Sequence, residues 1–140
     1  MAKKKVERFY VGPQIAISGV RSERSRGGVP SVAVAKAGNM VYTNGVVATD
    51  PETGELVAGD IRVQTRRTLE NLKLGLERAG TSFENVVMVQ AFLRRMQDWA
   101  AYHEVYLEYF PEHSPPPRYT VQAELATPEM LIEIHMIAVA

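Results

Sequence analysis

The sequence predicts an α/β domain of the α+β kind, a mixed sheet backed by two helices. Three observations carry this. Residues 31–48 alternate small or β-branched residues around Ala37-Gly38-Asn39. Two stretches, about 61–79 and 99–110, bring apolar residues back at helical spacing. Residues 118–125 and 131–139 return to a period of two. Runs of strands and helices in the order β-β-α-β-α-β-β place helices over one face of a sheet.

The elements follow in order. Residues 1–30 read as an irregular basic N-terminal arm, punctuated by Gly12-Pro13, Gly19, Gly27-Gly28 and Pro30, with at most a short strand at 14–18. Val32 and Val34 open a first strand, and residues 40–48 form a second. Ala37-Gly38-Asn39 turns between them, because Gly and Asn accept positive φ. Asp50-Pro51-Glu52-Thr53-Gly54 is a loop. Asp60 is placed to cap a helix carrying Ile61, Thr65, Leu69, Leu72, Leu76 and Ala79 on one stripe, with Gly80 at its end. Residues 86–93 are a β-rich strand. Asp98 is placed to cap a second helix whose stripe is Trp99, Tyr102, His103, Tyr106, Tyr109 and Phe110. Ser114-Pro115-Pro116-Pro117 cannot be helical. Two last strands follow, and Thr127-Pro128-Glu129 suggests that they form a hairpin.

The bulk numbers fit one domain over residues 1–140, with 46% hydrophobic and 23% charged residues. There is no cysteine, so thiolate chemistry is excluded and a reducing, cytoplasmic setting is expected. No apolar run reaches the roughly 20 residues of a membrane helix, and no apolar segment follows Lys3-Lys4-Lys5 as in a secretory signal. Net charge is zero but uneven. Residues 1–30 hold seven basic residues against Glu7 and Glu23, and the acidic excess lies in the remainder. The arm reads as a solvated terminus. It lacks the interleaved aromatics of a stacking platform, which speaks against nucleic acid as a partner.

Candidate chemistry concentrates at the end of the chain. In residues 131–140 the even positions are apolar, so Glu133 and His135 share the opposite face. In residues 118–125 the polar set is Arg118, Thr120, Gln122 and Glu124. Both strands are expected to offer a mixed face opposite a greasy one, facing water or a symmetric partner. Arg118, fixed behind three prolines, has the planar guanidinium suited to bidentate carboxylate recognition, and Glu133 is the candidate carboxylate. A plain cross-strand Arg118–Glu133 ion pair is the competing reading. His103 reads as packing or capping and His113 as a solvated loop residue. His135 is either an acid–base group or an interface residue. Asn44-Gly45 reads as a turn before it reads as a site. No cluster has metal-ligand spacing, and Arg26-Gly27-Gly28-Val29 lacks the helix that a phosphate cradle needs.

These residues also carry a resemblance. Lys36-Ala37-Gly38-Asn39, Thr43-Asn44-Gly45, Asp50-Pro51-Glu52-Thr53-Gly54-Glu55, Gln64-Thr65-Arg66, Leu69-Glu70-Asn71-Leu72-Lys73, Glu104-Val105-Tyr106, Pro117-Arg118 and Ile132-Glu133-Ile134 are similar to the RidA (YjgF) enamine/imine deaminases over about residues 30–140. Arg and Glu fifteen positions apart, in those two strands, are the specific part. The resemblance implies a chorismate-mutase-like fold assembled as a homotrimer, with sites in clefts between subunits and no metal or organic cofactor. It implies a small carboxylate-bearing substrate, hydrolysed to a 2-keto acid and ammonia. Arg118 would clamp the carboxylate, Glu133 would activate water and the Thr120 backbone would hold the substrate nitrogen.

Two pocket positions depart from the family pattern. Where Gly-Pro-Tyr-Ser is usual, this chain has Val29-Pro30-Ser31-Val32. Where Thr-Ser-Gly-Gln is usual, it has Thr43-Asn44-Gly45-Val46. Ser31 and Asn44 are therefore expected substrate-binding positions with changed character. With Arg21, Arg24 and Arg26 in the arm, they point to a larger or dianionic substrate, as in the 2-aminomuconate deaminases of aromatic catabolism. A non-catalytic keto-acid-binding module is a further reading. RNA cleavage or a chaperone role rests on the basic arm alone.

Overall fold

The structure is a computed structural model that describes residues 5–15 and 29–140. Six strands form one sheet: β1 (Val6–Ile15), β2 (Val29–Ala37), β3 (Met40–Thr43), β4 (Val86–Leu93), β5 (Arg118–Gln122) and β6 (Ile132–Val139). Two helices, α1 (Ile61–Arg78) and α2 (Trp99–Tyr109), cover one face. The spatial order is β1-β2-β3-β6-β4-β5, antiparallel except for the β4–β5 pair.

The first correction concerns the N-terminus. Residues 6–15 are not irregular but a ten-residue edge strand, paired with β2 from Val6 opposite Ala37 to Ile15 opposite Val29. The Gly12-Pro13 punctuation that hid it produces a register break between Val11 and Gln14 instead of an end to the strand. The order is therefore β-β-β-α-β-α-β-β. Of the expected strand at 14–18, residues 16–18 lie outside the described residues, as do Lys3, Lys4, Arg21, Arg24 and Arg26.

The hairpin and first helix form as their sequences dictate. Gly38, at φ +61°, closes the turn between β2 and β3. The second strand stops at Thr43 rather than running to residue 48. Beyond it Asn44 bonds Ala33 of β2, and Val46 exchanges two 2.9 Å hydrogen bonds with Ile134. Asp60 caps α1, its carboxylate accepting from the Val63 N–H at 3.0 Å. The stripe Ile61, Leu69, Leu72 and Leu76 is buried against Val32, Val34 and Met136 of the sheet. Gly75 is required where α1 crosses β2, because a Cβ there would stand 2.5 Å from Val32 Cγ1.

The second helix starts differently from expectation. Asp98 precedes it but its carboxylate turns to Arg95, at 3.2 Å, and makes no cap bond. The preceding turn at 96–98 is a 3-10 helix, which leaves Asp98 in helical geometry and its side chain unable to reach back. The helices are joined on their outer surface by Arg62–Glu104, by a bidentate Arg66–Glu108 pair at 2.9 and 3.1 Å, and by Tyr109 donating to Glu70 at 2.7 Å.

The largest correction is at the C-terminus. The last two strands are not a hairpin: β4 lies between them. The connecting segment instead crosses the end of the sheet. There Arg94 donates to the carbonyls of Met130 (2.8 Å) and Thr127 (2.6 Å), and Gln64 holds Glu129 and Leu131. Backbone groups that a hairpin would have paired are satisfied by two side chains from elsewhere.

Candidate functional site

Strand register decides which residues share a face. Arg118 stands opposite Val89, and Val89 opposite Met136; Thr120 stands opposite Ala91, and Ala91 opposite Ile134. Directly opposed residues point the same way. Arg118 and Thr120 therefore lie on the helix-covered face, among fully buried Val89, Ala91, Ile134 and Met136. Glu133 stands opposite Phe92, and Phe92 opposite Val121, so Glu133 and His135 lie on the open face with exposed Tyr119 and Val121. The expectation of a mixed polar face held for β6 and was inverted for β5. There the polar set faces the helix because α2 supplies polar aromatic partners.

Those partners make a cage. The Arg118 guanidinium lies 4.1 Å from the centre of the Tyr106 ring, 5.4 Å from Tyr102 and 5.7 Å from Trp99. Its Nη2 donates to His103 Nδ1 at 3.1 Å, since a guanidinium has no lone pair to accept with. Its Nη1 is buried without a hydrogen-bond partner, and so is the Tyr106 hydroxyl. Thr120 Oγ1 bonds the Tyr102 hydroxyl at 2.7 Å. Burial pushes the Tyr106 phenol up to about 12 despite the nearby guanidinium. Burial, then the Arg118 charge, holds His103 below its ordinary value, so the ring is neutral near pH 7. A cleft of about 290 Å³ opens beside the cage, lined by His103, Tyr106, Leu107, Glu112, Pro115, Pro116 and Arg118.

Glu133 lies on the opposite face of the sheet. Its carboxylate is half-buried against Gly45, where a Cβ would stand 2.9 Å from both Cδ and Oε1. Burial raises its pKa. The Asn44-Gly45 pair is not a turn. Neither residue has positive φ, Asn44 keeps β-type pairing by bonding Ala33 through both N–H and Oδ1, and Gly45 clears room for the carboxylate. Asn44 also lines a cleft of about 320 Å³ with Arg8, Tyr10 and Tyr42 on the open face. Ser31 is buried beside Gly12 and the Pro51 carbonyl. His135 is half-buried beside Gln90, and His113 is exposed. Within one chain the structure brings together Arg118 with Thr120, and separately Glu133 with Asn44-Gly45. It does not bring Arg118 to Glu133, so a cross-strand ion pair between them is excluded.

Among the described residues, no three His, Asp or Glu side chains are grouped to hold a metal ion, and no helix is long and apolar enough to cross a membrane.

Comparison with known proteins fixes the lineage. The family described as Endoribonuclease L-PSP matches residues 28–140. The chain belongs to this family, the YjgF/RidA family of the resemblance. A RutC family protein of Pyrococcus horikoshii is 48% identical over 103 residues, covering 74% of this chain and 81% of that one. The 3-aminoacrylate deaminase RutC of Acinetobacter baylyi is 42% identical over 109 residues, covering 78% and 86%. The crystal structure of Escherichia coli TdcF with bound serine superposes with a TM-score of 0.75 at 30% identity, covering 99% of both chains. The six-stranded sheet with two helices on one face is the architecture these family members share.

The sequence singled out Arg118, Glu133, Thr120, Ser31 and Asn44 as candidates, gave His103 a packing or capping role, and left Tyr102 and Tyr106 as part of an aromatic stripe. Their signal was present: an aromatic stripe with a histidine on a helix that precedes an arginine-led strand. It was read as core packing because a parallel β4–β5 crossover, which lays α2 directly over β5, is not visible in either segment alone.

Proposed function

We propose that the protein hydrolyses enamines or imines of carboxylic acids to 2-keto acids and ammonia. The observation that carries this is the Arg118 guanidinium, caged by three aromatic rings with one buried N–H left without an acceptor. A cation held so rigidly, with no carboxylate partner among the described residues, is preorganised for a carboxylate brought by a ligand. The name of RutC from Acinetobacter baylyi, a 3-aminoacrylate deaminase, supports hydrolysis of an enamine of a carboxylic acid, there with the nitrogen on C3 and so with a 3-oxo acid as product.

In this reading Arg118 fixes the carboxylate, the Thr120 backbone holds the substrate nitrogen and Glu133 takes a proton from water. The water oxygen then bonds to the imine carbon. The nitrogen takes the proton held by Glu133 to give a carbinolamine, then a second proton as the hydroxyl gives one up; the C–N bond breaks as the C=O bond forms, and ammonia leaves. An enamine first takes a proton on carbon to become the imine. The electrophile is already present in the substrate, so the reaction needs no cofactor. Desolvation makes Glu133 a stronger base than an exposed glutamate.

Because Arg118 and Glu133 face opposite sides of the sheet, the site is completed between chains. Arg118 of one protomer meets Glu133 of a neighbour in a homotrimer. The exposed apolar face of the sheet, with Val6, Tyr10, Tyr42, Tyr119 and Val121, supports such an assembly. Ser31 and Asn44 shape the Glu133 side. The cleft of Arg8, Tyr10, Tyr42 and Asn44 on that face favours one variant of the reading, a dicarboxylate substrate of the 2-aminomuconate type. The test is an amino-acid oxidase that generates imines in the presence of semicarbazide. The wild type suppresses semicarbazone formation, and Arg118→Ala and Glu133→Ala do not. Binding of 2-keto acids with no suppression by any protein would identify a binding module instead.

A further inference from the structure

The His103 ring is the part of the Arg118 cage that has no role in the reading above. His103 sits at the fifth position of α2, between Trp99 and Tyr106 one turn and three residues away. Its ring stacks on both, with centroids 4.6 Å from Trp99 at 22° and 6.2 Å from Tyr106 at 18°. Stacking on two neighbours removes the freedom of the imidazole to rotate, so the Nδ1 lone pair has a fixed direction. That lone pair takes the Nη2 hydrogen of Arg118 at 3.1 Å.

We infer that His103 is a positioning residue for the Arg118 clamp. It acts as a neutral hydrogen-bond acceptor that sets the rotation of the guanidinium and thereby aims its unpartnered Nη1. The inference rests on the reading of Arg118 as a carboxylate clamp and deepens it. The three aromatic rings attract the cation but do not orient it, because a ring face offers no preferred direction to a planar guanidinium sliding across it. One hydrogen bond to a fixed lone pair supplies the missing direction. Bidentate capture of a carboxylate depends on that direction, since both N–H groups must meet both oxygens together.

The charges facing His103 are compatible with the neutral form. Arg118 approaches from β5 and Glu112 from the segment after α2, while Trp99 and Tyr106 on α2 are uncharged. Desolvation and the Arg118 cation both favour the unprotonated ring, and only Glu112 opposes them. The neutral tautomer then carries its proton on Nε2.

Trp99 is the sole tryptophan in the chain and lies on the His103 ring, so its fluorescence reports on both partners. Two measurements on the full chain test the inference. In the first, Trp99 fluorescence is followed against pH in wild type and Arg118→Ala, with His103→Phe as the control that abolishes the titration. The expected midpoint lies below 6.5 in wild type and rises in Arg118→Ala. Identical midpoints would overturn the contact. In the second, 2-oxobutyrate binding and imine turnover are measured for wild type, His103→Gln, His103→Phe and Arg118→Ala. His103→Gln keeps an acceptor and should stay within about threefold of wild type, whereas His103→Phe keeps the stack, loses the acceptor and should weaken binding and raise KM by about tenfold or more with a smaller change in kcat. If His103→Phe binds as wild type does while Arg118→Ala fails, the positioning role is wrong and the clamp stands. If Arg118→Ala itself binds 2-oxobutyrate as tightly as wild type, the clamp reading falls, and the positioning role with it.

Discussion

Arg118 and Glu133 lie on opposite faces of one sheet, two strands and three register positions apart, with β4 between them. Ordinary strand spacing and rise put their Cα atoms on the order of 14 Å apart. No side-chain rotation closes that distance through a packed sheet. The two residues can serve one reaction only across a contact between chains. Each half is built separately: a caged cation beneath α2 and a desolvated carboxylate against Gly45.

Replacing Arg118 by lysine keeps the charge and loses the fork. The ammonium cannot present two parallel N–H groups, nor bond His103 in the same geometry. Arg118→Lys is expected to weaken 2-oxobutyrate binding by about tenfold or more, roughly 1.4 kcal/mol, with the fold and melting temperature close to wild type. Calorimetric titration beside a thermal melt checks this. Unchanged affinity would mean that the cage contributes charge alone.

Gly45→Ala tests the other half. A Cβ would come within 2.9 Å of Glu133 Cδ and Oε1, so the carboxylate must move. A displacement of that size is expected to lower kcat by about 10²-fold while leaving stability nearly unchanged, because the residue lies outside the packed core. Steady-state kinetics on imines from an amino-acid oxidase provide the check.

The pH dependence of Glu133 has a definite sign. Burial raises its pKa in the folded chain, so the folded state binds the proton more tightly than the unfolded one. Glu133 therefore contributes stability that is fully present below about pH 4.5 and is lost as pH rises through the folded value. Glu133→Gln is expected to melt higher than wild type at pH 8 and to match it at pH 4. Turnover by wild type is expected to fall on the acid side, at a pH above that of an exposed glutamate, as the base becomes protonated. Melts and kcat profiles across pH 4–8 measure both.

Gly75→Ala addresses the frame rather than the site. Its Cβ would meet Val32 Cγ1 at 2.5 Å and Val34 Cγ2 at 3.1 Å, both buried. Overpacking of that kind costs about 1–3 kcal/mol, even though alanine is the better helix former. Denaturant unfolding should show the loss, with catalytic constants per folded molecule unchanged.

Much of this architecture is legible in the sequence because local chemistry decides it. The Asp60 cap, the leucine stripe of α1, the Gly38 turn and the 86–93 strand each follow from neighbours within a few positions. Long-range pairing is what the sequence hides. The first strand was obscured by Gly12-Pro13, since a bulge and a strand end share the same residues. The hairpin expected at 127–129 failed because insertion of β4 between β5 and β6 is a choice of partner, invisible in either strand's own alternation. Both site halves depend on that choice. Arg118 and Glu133 were singled out by residue type and by the resemblance, whereas the face each occupies, and so the contact of Arg118 with His103, followed only from register.

The most direct test of the account is complementation between two inactive variants. Arg118→Ala and Glu133→Ala are mixed, unfolded and refolded together, and assayed for imine hydrolysis against each alone. If sites form between chains of a trimer, about a quarter of the mixed sites join an intact Arg118 to an intact Glu133, and about a quarter of wild-type activity returns. Mixed preparations as inactive as either variant, with trimers re-formed, would contradict a site built from Arg118 of one protomer and Glu133 of the next.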